Sequence, residues 1–325
     1  MPNASSIPVC SVLCLPEPES ANVMPSYDHH ALEAHLPHRG VNLIPDVVEI
    51  SEDGLAAVSR TRIPVTDSRG RQVFARNDHR WSEPFLAELM ALTGVPLLTA
   101  KLAPQGQVAV FSMISKIHFT LPAKITEEVI GHARITRERS GFTTFSTRAE
   151  IAGQTILEAE VMSGAAVLSE IASCSARPFH GQLPSSPLPA GCLDWKPPHL
   201  RFIDSVVHAD AAERKLVARY TYPEDHPFVP GHFPGAPLMM GVTQWSAVAD
   251  AAWAAAQLFG IKGDVVANGT VKRQDGSEVL DVRELMLQVT NGVPHISATR
   301  RVAFREPVRP TDGLLVEVTV APAVL

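Results

Sequence analysis

Cysteine is scarce: the chain has four in 325 residues, at 10, 14, 174 and 192. They lack metal-ligand spacing and are too few for a dense disulfide framework, so neither a disulfide-stapled fold nor a zinc site is expected, and a reducing cytoplasm fits best. Positive charge is also in deficit, with 28 Lys and Arg against 34 Asp and Glu, a net charge of -6 and a pI near 6.1. Binding a phosphate backbone requires clustered Lys and Arg, so nucleic acid is not an expected partner. No uncharged apolar run is long enough to span a bilayer; the alanine-rich stretch after Met240 comes nearest and contains Asp250, so no membrane span is expected. Positions 1–25 carry no Lys or Arg, and Pro16 and Pro18 break their short apolar run, which predicts a disordered tail rather than a signal peptide. Apolar residues, in contrast, make up 45% of the chain, enough for two ordinary cores.

Between Ser175 and His199 the sequence SARPFHGQLPSSPLPAGCLDWKPPH is too rich in proline for a helix or a central strand and reads as a linker. It divides the chain into halves of similar order. The first runs through LPHRGVNLIPDVVEI, a helix, and then segments such as KIHFTLPAKI and FTTFSTRAEIAGQTILEAEV, whose β-branched residues and short-period alternation predict antiparallel strands. The second repeats this with RFIDSVV and KLVARYTY, an alanine-rich helix, and HISATRRVAFREPV and GLLVEVTV. One helix among many strands predicts a curved sheet wrapped around it.

Spacing tests the repeat. The interval from Asp46 in LIPDVV to Glu88 equals the interval from Asp204 in RFIDSVV to Ser246, so the halves stay in register through their helices. Beyond the helices the register slips, because Asp204 and Pro307 stand much farther apart than Asp46 and Pro122. The difference predicts an insertion of about 27 residues in the second half. Part of it is expected to be a hairpin with a D-G turn at GTVKRQDGSEV.

The densest motif is HPFVPGHFPGAPLMMGVTQWSAVADAAW, at 226–253. Pro230, Gly231, Pro234, Gly235 and Pro237 impose an irregular loop around His232, and a helix begins near Gly241. An imidazole is thereby set against a helix N-terminus, whose free N–H groups and positive dipole end can hold an oxygen that gains negative charge, as in the enolate of a thioester.

GHFPGAPLMMGV resembles the signature loop of the FabZ/FabA-type 3-hydroxyacyl-(acyl carrier protein) dehydratases, and LPHRGVNLIPDVV resembles the opening strand of the same family. The resemblance implies an α+β double hot-dog, two antiparallel sheets each wrapped around a central helix. Its parts are a tail at 1–25, an N-terminal hot-dog at 26–174, the linker at 175–199 and a C-terminal hot-dog at 200–325. It further implies a dehydratase of fatty acid or polyketide assembly with no cofactor and no metal, acting on a thioester of acyl carrier protein or CoA. The chain is then an internal pseudo-dimer, with a homodimer as a further option.

The family pairs the loop histidine with a Glu or Asp fourteen positions later, supplied by the facing hot-dog. Fourteen after His232 is Ser246, which cannot act as an acid; in the first half Glu88 holds the acid position and Phe74 stands where the histidine belongs. Each half keeps what the other lost, so the resemblance implies one complete site, His232 with Glu88, and one dead site, Phe74 with Ser246. It assigns the thioester to Gly241, Gly235 and Phe233. The remaining candidates have plainer readings. Glu83 complements a helix dipole, His79 and His38 are structural, Asp250 is a weaker substitute acid, and the run Arg300, Arg301, Arg305 and Arg309 is either a solvated strand face or a dock for an acidic carrier. The rival readings are a hot-dog thioesterase, an enoyl isomerase, and a non-catalytic acyl-binding subunit.

Overall fold

A computed structural model describes residues 25–120 and 122–323; most of the expected tail, with Cys10 and Cys14, lies outside them. The described chain opens with β1 (Ser26–Asp28), one helical turn α1 (His29–Leu32), β2 (Val47–Ile50) and β3 (Ala56–Thr61). Helix α2 (Glu83–Gly94) follows, continued by α3 (Pro96–Leu102), and then β4 (Gln107–Phe119), β5 (Val129–Arg139), β6 (Phe142–Ile151) and β7 (Gln154–Val167). After the short α4 (Leu168–Ser173) come β8 (Ser205–Asp210), β9 (Lys215–Thr221) and helix α5 (Gly241–Leu258). The chain ends in β10 (Val265–Arg273), β11 (Glu278–Thr290), β12 (Val293–Phe304) and β13 (Gly313–Pro322).

The strands obey their period of two: β9 buries Leu216, Ala218 and Tyr220 and turns the alternate residues outward. The helices show no such division. In α2 every residue from Glu83 to Gly94 except Ala91 is buried, and in α5 every residue from Val242 to Ala256 is, as required of helices enclosed on all sides. Each is wrapped by the strands of its own half, and α2 packs against α5. This is the double hot-dog. Ser82 occupies the N-cap of α2 with extended backbone, but its side chain makes no capping hydrogen bond. No single helix among the described residues is long and apolar enough to cross a membrane.

The thirteen strands of the described residues form one antiparallel sheet, in the order β1-β2-β3-β5-β6-β7-β4-β12-β11-β10-β13-β9-β8. The halves join where β4 meets β12, with Ile114 opposite Val302 and Ile117 opposite Thr299. Read outward from that join, the first half runs β4, β7, β6, β5, β3 and the second β12, β11, β10, β13, β9. Both helices are therefore followed by four strands, which corrects the expected insertion. The D-G turn does close a hairpin, β10 to β11, around Gly276 at φ 87°. Those two strands, however, are counterparts of β6 and β7, threaded before the joining strand instead of after it.

The proline-rich segment between the halves is packed against the fold. Cys192, Leu193 and Lys196 are buried, the Arg177 N–H donates to Asp312 Oδ1, and the Gly313 N–H donates to the Arg177 carbonyl at 3.0 Å.

Candidate active site

The loop before α5 is held by the opposite half. The Arg39 N–H donates to the Gly231 carbonyl at 3.0 Å, and Asn42 Nδ2 donates to the Phe228 carbonyl at 2.8 Å. A Cβ on Gly231 would overlap the Arg39 carbonyl oxygen, so only glycine permits this approach. Gly241 is constrained in the same way, since a Cβ there would lie 2.8 Å from the Phe304 ring.

His232 follows this clamp and is buried. Its Nδ1 lies 3.2 Å from the Leu238 carbonyl, which can only accept; Nδ1 therefore carries the proton, and Nε2 is left bare. Burial pushes the imidazole pKa down to about 4, so the ring is neutral at pH 7. Glu88, on α2 of the other half, is 3% exposed, and burial pushes its carboxyl up to about 8. It is thus protonated at neutral pH, while its Oε2 has no hydrogen-bond partner. One nitrogen of His232, one nitrogen of His38 and one oxygen of Glu88 all lie within 4.8 Å of one another. The fold therefore brings together His232 and Glu88, the residues expected to meet, and adds His38, which sequence reasoning set aside.

These groups face a cavity of about 290 Å³ that is mostly apolar, with Met90, Leu92, Val95, Val110, Phe145 and Val161 in its wall. Phe233 also lines it, stacked on His232 at 4.3 Å between ring centroids. Gly241 lines it at the first residue of α5, an end that no side chain caps. Its N–H is therefore free to hold an anionic oxygen. Gly235 is elsewhere: it sits exposed at φ 78° in the turn after Phe233 and does not line the cavity. His79 is likewise exposed, at φ 60° in the loop before α2. Glu83 binds Arg76 Nη1 at 3.0 Å, more than the dipole partner expected of it. In the arginine run, Arg300 pairs with Glu284, Arg305 with Glu278, and Arg309 donates to the carbonyls of Ile171 and Ala172.

Phe74 and Ser246 do not enter this cavity. Phe74 is fully buried against Phe85, Trp81 and Phe228, and the Ser246 hydroxyl donates to the Val242 carbonyl of its own helix. The offset that carries Phe74 to His232 and Glu88 to Ser246 also carries His38 to Lys196 and Leu92 to Asp250. Those counterparts line a recess of about 10 Å³ in which Lys196 Nζ binds Asp250 Oδ1 and the Phe202 N–H donates to Asp250 Oδ2. Asp250 is thus engaged away from His232. No local signal in the sequence singles out His38, because its partners His232 and Phe233 come from the other half.

The fold and the buried histidine–carboxyl cluster define a hot-dog protein with one open cleft and one closed one. Residues 196–280, which hold the GHFPG loop and α5, match the family described as the FabA-like domain. Among solved structures, the chain is similar to the dehydratase heterocomplex ApeI:P from Xenorhabdus doucetiae, at 11% identity over 44% of this chain and 97% of that one, TM-score 0.36. A structure from work on dehydratase substrate selection for the borrelidin and fluvirucin polyketide synthases matches at 13% identity over 89% of this chain and 96% of that one, TM-score 0.41. The PaaI protein from the E. coli phenylacetic acid degradation operon matches at 16% identity over 36% and 82%, TM-score 0.29. Comparison with curated proteins gives no match.

Proposed function

We propose that the chain dehydrates a 3-hydroxyacyl thioester to a trans-2-enoyl thioester, using His232 as base and Glu88 as acid. The observation that carries this reading is the pairing, within 4.8 Å, of an imidazole that burial keeps neutral and a carboxyl that burial keeps protonated. The bare Nε2 of His232 takes a proton from C2, and the Gly241 N–H holds the thioester oxygen as charge gathers on it. The electron pair forms the C2–C3 double bond, the C3–O bond breaks, and the departing hydroxyl takes the Glu88 proton and leaves as water. The thioester sulfur stays bonded to its carrier, acyl carrier protein or CoA. The apolar wall beside α2 takes the acyl chain, and Phe233 packs against the base. Hydrolysis is less well served, because a carboxyl protonated at neutral pH is a poor base for water. The division into hot-dog units at 26–174 and 200–325, joined by 175–199, belongs to this reading.

Incubation with a 3-hydroxyacyl thioester tests it: an absorbing enoyl thioester is the expected product. Release of free thiol instead would mean a thioesterase, and no turnover an acyl-binding protein.

The pH profile follows from the two groups. Turnover requires His232 neutral and Glu88 protonated, so kcat/KM falls as pH drops through about 4 and again as it rises through about 8, with a plateau between. The alkaline limb is the diagnostic one, because an ordinary exposed glutamate loses its proton near 4.3. A rate that declines steadily from pH 5 to 7 would remove Glu88 from the role of acid.

A further inference from the structure

The dehydration reading gives His38 no task, yet His38 is placed with care. The Arg39 guanidinium donates to the carbonyls of Leu36 at 2.8 Å, His38 at 2.7 Å and Glu33 at 2.9 Å, and the Arg39 N–H and the Asn42 amide tie the segment to the loop of His232. The backbone on both sides of position 38 is therefore fixed. The ring is 4% exposed, edge-on to Phe233 at 5.0 Å and 5.1 Å from His232. Its Nε2 lies 3.7 Å from Glu88 Oε1.

Its hydrogen bonding is what a packing role leaves unexplained. Buried polar side-chain atoms nearly always find a partner, but His38 Nδ1 has none, and neither does Glu88 Oε2. The atoms that face each other, His38 Nε2 and Glu88 Oε1, stand at a separation only slightly longer than a hydrogen bond, and the far atom of each group, Nδ1 and Oε2, is buried without a partner. Hydrogen bonds in active sites are often long without substrate and tighten once it is bound.

We propose that His38 is a positioning residue for Glu88: its Nε2–H donates to the Glu88 carboxyl, orients it toward the substrate hydroxyl, and stabilises the carboxylate left when the proton departs. No proton leaves His38 in this step; it stays neutral and donates throughout. The role rests on the dehydration reading. The other titratable group facing Glu88 is His232, from the loop before α5; farther along the cavity wall are Arg305 and Glu306, which follow β12.

The test compares His38→Leu with His38→Gln, which keeps a donor at a similar reach. A hydrogen bond to a developing charge is worth about ten- to hundredfold in rate, so His38→Leu should lower kcat by that factor and leave KM little changed. A donor to the charged form lowers a carboxyl pKa, so its removal should move the alkaline limb of kcat, which reports the substrate complex, to higher pH, and His38→Gln should restore both rate and limb. In a Glu88→Gln background, His38→Leu should cost little more. If His38→Leu does not fold, His38→Asn, whose shorter side chain withdraws the donor, replaces it in the comparison. A fall in kcat with the limb unmoved, or no fall at all, overturns the assignment to His38 alone. A parent enzyme that makes no enoyl product overturns the dehydration reading as well.

Discussion

Replacing His232 by alanine lowers turnover of a 3-hydroxyacyl thioester about 10²–10⁴-fold, and Glu88→Gln does the same, because each removes one of the two proton transfers in the proposed elimination. The double variant is little worse than the poorer single one, since base and acid act on the same bond-breaking event. Ser246→Ala, on the equivalent helix face of the other half, retains activity, because its hydroxyl serves only the Val242 carbonyl. Rates of the four variants on one substrate, normalised to folded protein, decide the matter. A Glu88→Gln enzyme at parental rate would show that water or another group supplies the proton. Phe74→Ala is not a useful control: removing a ring buried among Phe85, Trp81 and Phe228 costs about 3–5 kcal/mol and so removes folded enzyme.

Much of this arrangement was legible in the sequence because it is written at fixed local spacings. Asp46 and Asp204 proved to be sound landmarks for a physical reason: each carboxylate accepts the N–H at the far end of the next strand, Arg62 at 2.7 Å and Thr221 at 3.0 Å. The equal intervals from those aspartates to Glu88 and Ser246 therefore measure one structural unit used twice. What stayed hidden depended on tertiary contact. Antiparallel strands of similar length and pattern do not record which neighbours they choose, so two strands threaded earlier read as an insertion. His38 was hidden for the same reason. Its environment is made by residues 228–233, far along the chain in the other half, and nothing in LPHR announces that meeting. Gly235 erred in the opposite direction: a residue inside a strong motif was assigned to the ligand, when its φ of 78° shows that it shapes the turn.

Lys196→Met destabilises the protein by about 3–5 kcal/mol, a large share of the roughly 5–15 kcal/mol typical of folded proteins, and leaves the open cleft intact. The recess between Ser246 and Glu83 is the counterpart of the open cleft, yet its polar groups neutralise each other. Lys196 and Asp250 are almost fully buried, and Lys196 Nζ also stands 4.9 Å from the Trp195 ring centroid. Burial raises the Asp250 pKa while the Lys196 charge lowers it, so the carboxylate is tolerable only with its partner. Methionine fills the space of the lysine stem but leaves that carboxylate uncompensated, and a recess of about 10 Å³ has no room for the several waters that hydration would need. Adding Asp250→Asn removes the orphaned charge and keeps an acceptor for the Phe202 N–H, so the double variant should recover most of the loss even though the ion pair is gone. Denaturant unfolding of the parent, the single and the double variant reads these differences directly. A single variant as stable as the parent would mean that Asp250 takes up a proton at little cost. A double variant no better than the single would place the stabilisation in the Lys196 ammonium over the Trp195 ring, not in its ion pair with Asp250.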